Sequence, residues 1–333
     1  MKKIILIMNV LLFSVILVSC KNTKNIESNS NVLKLSDTDT LKINVETDEV
    51  KIMQLTDVHL TYGFDYLDRK TFKLIDKLIE KEEPDIIVVT GDLFMTLSAK
   101  SVFKKFIKFI DKYDIPWSII FGNHEAEFHS METIVKTLES VKTNNLYFLN
   151  NPNLIPSKED GYSNFRLEIY NNDTHLLNLY LLDSKVNRRD GVKDSRYPYD
   201  YLSKDQVNWY EDLVKDDLVK SLAFMHMPLI QFLEYDGPLR GEKSWPQAVD
   251  TGFYDVMKTY DKTLGVFVGH DHLNSFHFKI PGDNILLSYG LSSGYNSYGN
   301  VEKGARFITF NNLKQEMKTY TVDGKEVGVW KKV

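Results

Sequence analysis

Short apolar runs recur along the chain, each closing on a polar or glycine-bearing turn: VKIMQL (50–55), DIIVVT (85–90), PWSIIF (116–121), LLNLYLL (176–182), SLAFMH (221–226) and LGVFVG (264–269). Runs of this length bounded by turn residues read as buried strands. Between the first two, LDRKTFKLIDKLIEKEEP places Phe72, Leu74, Ile75, Leu78 and Ile79 on one helical stripe, and Pro84 stops it. Strands alternating with helices predict a layered α/β protein. After His272 the texture shifts to shorter strands, SFHFKI, NILLSYG, ARFITF and MKTYTV, punctuated by PGDN and DG turns. These are expected to run antiparallel. With no internal repeat and no long linker, residues 32–333 are expected to form one domain of sheet packed on sheet with helices outside.

The N-terminus follows a different pattern. Lys2 and Lys3 precede an apolar run from Ile4 to Val18, and then comes LVSC with the chain's single cysteine, Cys20. The run is short of the ~20 residues that span a bilayer and has the charged start of an export signal. Its end resembles a bacterial lipobox, with Leu17 three residues before Cys20 and small Ser19 just before it. The expectation is a lipoprotein signal over 1–19 and a lipidated Cys20, with KNTKNIESNSN serving as tether to residue 31. The protein would then be exported and lipid-anchored to the cell envelope.

Composition narrows the chemistry. The 333 residues are 43% hydrophobic and 12% aromatic, enough to build a large core, and the net charge is −5. An acidic chain lacks the basic face that nucleic acid requires, so no nucleic-acid partner is expected. One cysteine rules out an internal disulfide or a thiolate metal cluster within this chain.

The polar residues that end the strands carry the functional signal. Asp57 and His59 follow the first strand, Asp92 the second, Asn123 and His124 the third; His226 ends the fifth, and the sixth runs into His270 and His272. Five of the eight histidines thus stand at strand ends, where α/β folds place ligands. Oxygen and nitrogen donors without sulfur suit divalent or trivalent transition metals, and more than four of them suggest two ions. Two cations sharing a carboxylate and a bridging hydroxide form a machine for in-line attack on phosphorus, and after Asp57, Asp92 and hydroxide they retain about +1 for an anionic phosphoryl group. Any one of these motifs alone reads more readily as a cap, a turn or a packed histidine than as a ligand; their order along the chain gives them weight.

That ordered set, Asp57-Val58-His59, Gly91-Asp92, Gly122-Asn123-His124-Glu125, His226 and Gly269-His270-Asp271-His272, resembles the calcineurin-like metallophosphoesterase superfamily. The resemblance implies a four-layer α/β/β/α sandwich. It also implies that Asp57, His59, Asp92 and His272 hold one metal and Asp92, Asn123, His226 and His270 the other. His124 would contact the phosphoryl oxygen and protonate the leaving alkoxide. Glu125 is expected to be an exposed helix-start carboxylate. If 270–272 is extended, His270 and His272 face one side and Asp271 points away.

A narrower similarity, carried by FGNHE, HMPL, GEK (241–243), GVFVGHDHLN, YGLSSGYNSYG and GARFI, is to the purple acid phosphatase-like branch. Met95 stands where true purple acid phosphatases have a tyrosine ligand, and His59 is a histidine they lack; phenolate-bound ferric iron is therefore not expected. Softer candidates are Arg188, Arg189, Arg240, Lys185 and Lys243, which could reach substrate phosphate or be solvated surface charge. YGLSSGYNSYG is compatible with a pocket rim or with a turn. The expected function is hydrolysis of phosphate esters, monoesters preferred, by a centre of two ions drawn from manganese, iron, zinc and magnesium. Diester hydrolysis and a non-catalytic surface binding protein are the rivals.

Overall fold

In this computed structural model the described residues are 39–150, 160–186, 197–238 and 241–329. The export signal, Cys20, the tether, and the candidates Arg188, Arg189 and Arg240 lie outside them. No helix among the described residues is long and apolar enough to cross a membrane.

Twelve described strands form two sheets. The smaller holds β2 (Glu49–Leu55), β3 (Ile86–Thr90), β4 (Trp117–Ile120), β11 (Gly304–Asn311) and β12 (Glu316–Asp323), in the order β12-β11-β2-β3-β4. The larger holds β1 (Thr40–Asn44), β5 (Phe165–Asn171), β6 (Thr174–Leu181), β7 (Ser221–Phe224), β8 (Thr263–Val268), β9 (His277–Lys279) and β10 (Leu286–Tyr289). Its order is β1-β5-β6-β7-β8-β10-β9. Strands β3, β4, β7 and β10 are buried at every position, β4 even though it ends its sheet, which is why they read as largely apolar runs.

Helices cover both outer faces. α1 (Tyr66–Glu82), α2 (Ala99–Asp111) and α3 (Met131–Glu139) lie on the smaller sheet, α1 against β11 and Phe106 of α2 edge-on to Trp117 of β4. α4 (Lys204–Val214) and α5 (Phe253–Tyr260) lie on the larger, with Tyr210 of α4 edge-on to Tyr180 of β6. The helical stripe expected before Pro84 is α1, capped by Asp65 at its start and ended by Glu83 in the left-handed region at φ 47°. The layers are therefore α/β/β/α.

The two sheets meet through side chains that reach across. Gln54 of β2 donates to the carbonyl of Val268 on β8 at 3.1 Å, and buried Arg306 of β11 donates to the carbonyl of Tyr289 on β10. The first of these bonds lies at the ends of β2 and β8, whose following loops carry candidate ligands.

The C-terminal strands only partly match the antiparallel expectation. β9 pairs antiparallel with β10, and β11 with β12, but β10 runs parallel to β8. The segment between β8 and β10 contains β9, which runs opposite to both, so the chain reverses twice before it enters β10.

Candidate metal centre

β2, β3 and β4 run parallel, as do β6, β7 and β8. Parallel strands end together, so loops after β2, β3, β4, β7 and β8 converge on one edge where the two sheets abut. Asp57, His59, Asp92, His226, His270 and His272 are all buried there, with Asn123 half-buried beside them. Four of these seven, Asp57 (φ 52°), His59 (φ 47°), Asp92 (φ 52°) and His270 (φ 76°), have left-handed backbone. Each such residue costs about 1–3 kcal/mol, which the surrounding structure must offset, and such strain gathers at functional sites.

The geometry falls into two overlapping groups. The ligand atoms of Asp57, His59, Asp92 and His272 all lie within 4.8 Å of one another. His59 Nε2 is 3.0 Å from His272 Nε2, and His272 Nε2 is 3.3 Å from Asp57 Oδ1. On the other side Asn123 Oδ1 lies 3.2 Å from His226 Nε2 and 3.0 Å from His270 Nδ1. Asp92 joins the two: its Oδ2 is 3.6 Å from His59 Nε2 and 3.2 Å from His226 Nε2.

Outer contacts fix these groups. His226 Nδ1 is 2.8 Å from the carbonyl of Thr90, which sets the ring with Nε2 toward Asp92 and Asn123. Thr56 Oγ1 donates to Asp57 Oδ2 at 2.9 Å, and the His124 backbone N–H donates to Asp92 Oδ1 at 2.9 Å. Gly122 is demanded by this closeness: a Cβ there would come within 2.3 Å of Asp92 Oδ1.

The electrostatics call for a cation. Burial would raise both aspartates, but His272 beside Asp57 holds it down at about 2, and His226 holds Asp92 well below the carboxylate range. Burial lowers His59 to about 4 and, with His226 alongside, His270 to about 3, leaving neutral rings whose lone pairs suit a metal. For His226 burial is outweighed by Asp92, and the ring rises to about 10. Two buried carboxylates kept ionised beside the neutral rings of His59 and His270, with His226 charged until a metal displaces its proton, form a donor set that fits divalent metal ions.

His124 lies at the edge of this cluster, its side chain 33% exposed and its ring centroid 5.2 Å from that of His59. Its Nδ1 is 2.8 Å from Glu127 Oε2. Burial opposes its protonation, yet Asp92 and Glu127 raise its pKa overall.

Three expectations need correction. Glu125 is buried, not exposed: it accepts from the backbone N–H groups of Gly122, Asp92 and Leu93. His270 and His272 are not in an extended segment, because β8 ends at Val268 and His270 has φ 76°; a turn, rather than the pleat, separates the two rings. Lys185 faces Asp200 at 3.5 Å and so is not a free surface charge, while Lys243 is exposed. Asp271 stays out of the cluster, accepting from Tyr289 Oη at 2.7 Å and from the Trp245 N–H at 3.1 Å.

Tyr199, which no sequence signal singles out, and Tyr298 of the candidate pocket-rim stretch place their rings 4.2 Å from His270 and 4.0 Å from His272, centroid to centroid. Tyr298 belongs to YGLSSGYNSYG, whose serines turn inward while this tyrosine stays half in water. No periodic signal marks it.

Residues 50–274 match the family model described as calcineurin-like phosphoesterase. The chain is 30% identical over 295 residues to "Probable inactive purple acid phosphatase 14" of Arabidopsis thaliana, covering 75% of this chain and 72% of that protein. It is 28% identical over 333 residues to "Probable inactive purple acid phosphatase 29" of the same plant, covering 86% and 82%. Among solved structures, the fold resembles "GAP50 the anchor in the inner membrane complex of Plasmodium", with a TM-score of 0.54 and 14% identity over 85% of this chain and 87% of that one.

Proposed function

The chain belongs to the calcineurin-like phosphoesterases, metal-dependent hydrolases of phosphoric esters, and from that premise we propose that it works with two metal ions and acts first on monoesters. The observation that carries the two-ion reading is the place of Asp92 between two donor groups. Asp57, His59 and His272 would complete one site with it, and Asn123, His226 and His270 the other. Bound there, a pair of manganese, iron, zinc or magnesium ions supplies positive charge to a phosphoryl group and activates water at neutral pH.

The protein's own residues do the rest. Asp57 and Asp92 stay ionised and hold the site's shape. Glu127 fixes His124 through Nδ1, which leaves Nε2 to hold a proton for the leaving oxygen. The relatives' names as acid phosphatases support the monoester preference; diesters on the same centre are the alternative. A non-catalytic binding role is the second reading, favoured by the word "inactive" in those names.

Metal-reconstituted protein assayed on aryl phosphate mono- and diesters separates these readings. A monoester preference with loss of activity in Asp92→Asn and His124→Ala supports the first. A diester preference selects the alternative, and no turnover with any of the four metals selects the binding role. Export and anchoring through Cys20 belong to the same proposal, and Cys20→Ser is expected to move the protein from the membrane to the soluble fraction.

A further inference from the structure

Large apolar side chains left in water are usually scattered singly. In this protein Tyr62, Phe64, Phe128, Trp245 and Tyr298 are each between 42% and 65% exposed, and each lies in a loop next to candidate metal ligands or their contacts. Tyr298 stacks on His272 at 4.0 Å with a 26° tilt, and Tyr199 stands edge-on to His270 at 4.2 Å. The Trp245 backbone bonds Asp271, between those two histidines, and its ring meets Tyr197 edge-on at 6.2 Å.

The Tyr298 ring and the backbone beside Tyr62 are held in place. Tyr298 Oη donates to Glu242 Oε1 at 2.6 Å, and the same oxygen accepts from the Leu273 N–H at 3.0 Å. Buried Lys303 donates to the Tyr298 carbonyl at 3.2 Å and to Ser297 Oγ at 2.7 Å. In α1, buried Asp68 accepts from the N–H groups of Thr61, Tyr62 and Gly63 and also from Asn296 Nδ2 at 2.8 Å. One carboxylate thereby ties the loop of Tyr62 and Phe64 to the loop of Tyr298. An aromatic ring fixed beside a metal centre is preorganised to take up an apolar group.

We propose that the alcohol portion of the substrate is large and apolar and lies against Tyr199, Trp245 and Tyr298 while its phosphoryl group sits at the metal cluster. This rests on the phosphoesterase reading and names its substrate class. A small polyol phosphate would leave the wall wet and engage the protein through its phosphoryl group alone. An aryl ring and an alkyl chain share the required chemistry.

Non-hydrolysable phosphonates test this without turnover. Methyl-, benzyl- and hexylphosphonate carry one headgroup, and calorimetric titration into the manganese-loaded protein reads the apolar part alone. The expected result is that benzyl- or hexylphosphonate binds about 10-fold or more tightly than methylphosphonate. The tighter of the two assigns a flat ring or a chain. Tyr298→Ser combined with Trp245→Ser is expected to shrink that ratio to below about 3-fold, while Tyr298→Phe, which keeps the ring, retains most of it. Equal affinities for all three probes overturn this proposal and leave the phosphoesterase reading standing. Failure of all three to bind, together with absence of phosphoester hydrolysis, overturns both.

Discussion

Glu125 lies beneath Asp92 and holds it from behind: Oε2 accepts from the Asp92 N–H at 3.2 Å and the Gly122 N–H at 2.7 Å, while Oε1 takes the Leu93 N–H. The loops after β3 and β4 are thereby bound to one buried carboxylate. Burial and the charge of Asp92 push Glu125 up to about 7, and the N–H donors pull the other way. Asp92 in turn takes the His124 N–H at 2.9 Å, so the bonds run both ways between the two loops.

Replacing Glu125 therefore tests whether Asp92 is positioned from outside the cluster. Glu125→Gln keeps one acceptor oxygen and is expected to weaken manganese binding about 10–100-fold, the usual effect of losing an outer-shell partner. Glu125→Ala strands three buried N–H groups and is expected to cost several kcal/mol of stability, at about 1–3 each. Metal titration by calorimetry and urea unfolding read the two effects separately. Unchanged metal affinity in Glu125→Gln would remove Glu125 from the positioning role.

Gly269 precedes His270, and a Cβ on it would come within 1.9 Å of Thr56 Oγ1 and 2.9 Å of Asp57 Oδ2. Gly269→Ala must push apart the loops after β2 and β8, which carry Asp57 and His270. Overpacking of this kind costs about 1–3 kcal/mol. Metal affinity is expected to fall along with stability, because Thr56 also bonds Asp57. A variant with wild-type affinity would show that the site tolerates separation of these two loops.

Metal removal is expected to lower stability. The native cluster brings two ionised carboxylates and four imidazoles together under cover, whereas the unfolded chain has no such site. A ligand present at 100 times its Kd adds about 2.7 kcal/mol to the folded state. Chelation should accordingly lower Tm by several degrees, at roughly 2–4 °C per kcal/mol in domains somewhat smaller than this one. Differential scanning calorimetry with and without manganese measures it; coincident transitions would argue against a metal centre.

The strands that frame the centre are legible in the sequence because parallel strands covered on both faces are apolar throughout. β5 is not, since Arg166 and Glu168 interrupt its apolar residues; in the fold they pair with each other at 2.8 Å, and Arg166 also reaches Asp217 at 2.9 Å. β1 is missed because it is a short edge strand, half open to water. The candidate ligands are legible because each follows such a strand. Glu125 looks like any helix-start carboxylate until the loop folds over it, and the places of Tyr199 and Tyr298 depend on distant loops meeting, which no local pattern encodes.

Lys303 offers a test at a distance from the ligands. It is buried, donates to Ser297 Oγ and the Tyr298 carbonyl, and forms no ion pair among the described residues. Burial lowers its pKa from 10.5 to about 8, against the pull of Asp57 and Glu242. Between pH 8 and 10.5 the unfolded chain then binds more protons at this lysine than the folded one, so unfolding free energy rises with pH through that window. The penalty is fully present below pH 8 and relieved above it, with a slope of at most about 1.4 kcal/mol per pH unit. Lys303→Met removes this contribution and leaves the other titrating groups in place. Urea unfolding of both chelated proteins at pH 7.5 and 9.5 isolates the lysine as the difference between differences, and the wild type should gain more stability with rising pH than the variant. Equal gains would mean that Lys303 keeps an ordinary pKa, and that its bonds to Ser297 and Tyr298 hold a fully charged ammonium at no cost to folding.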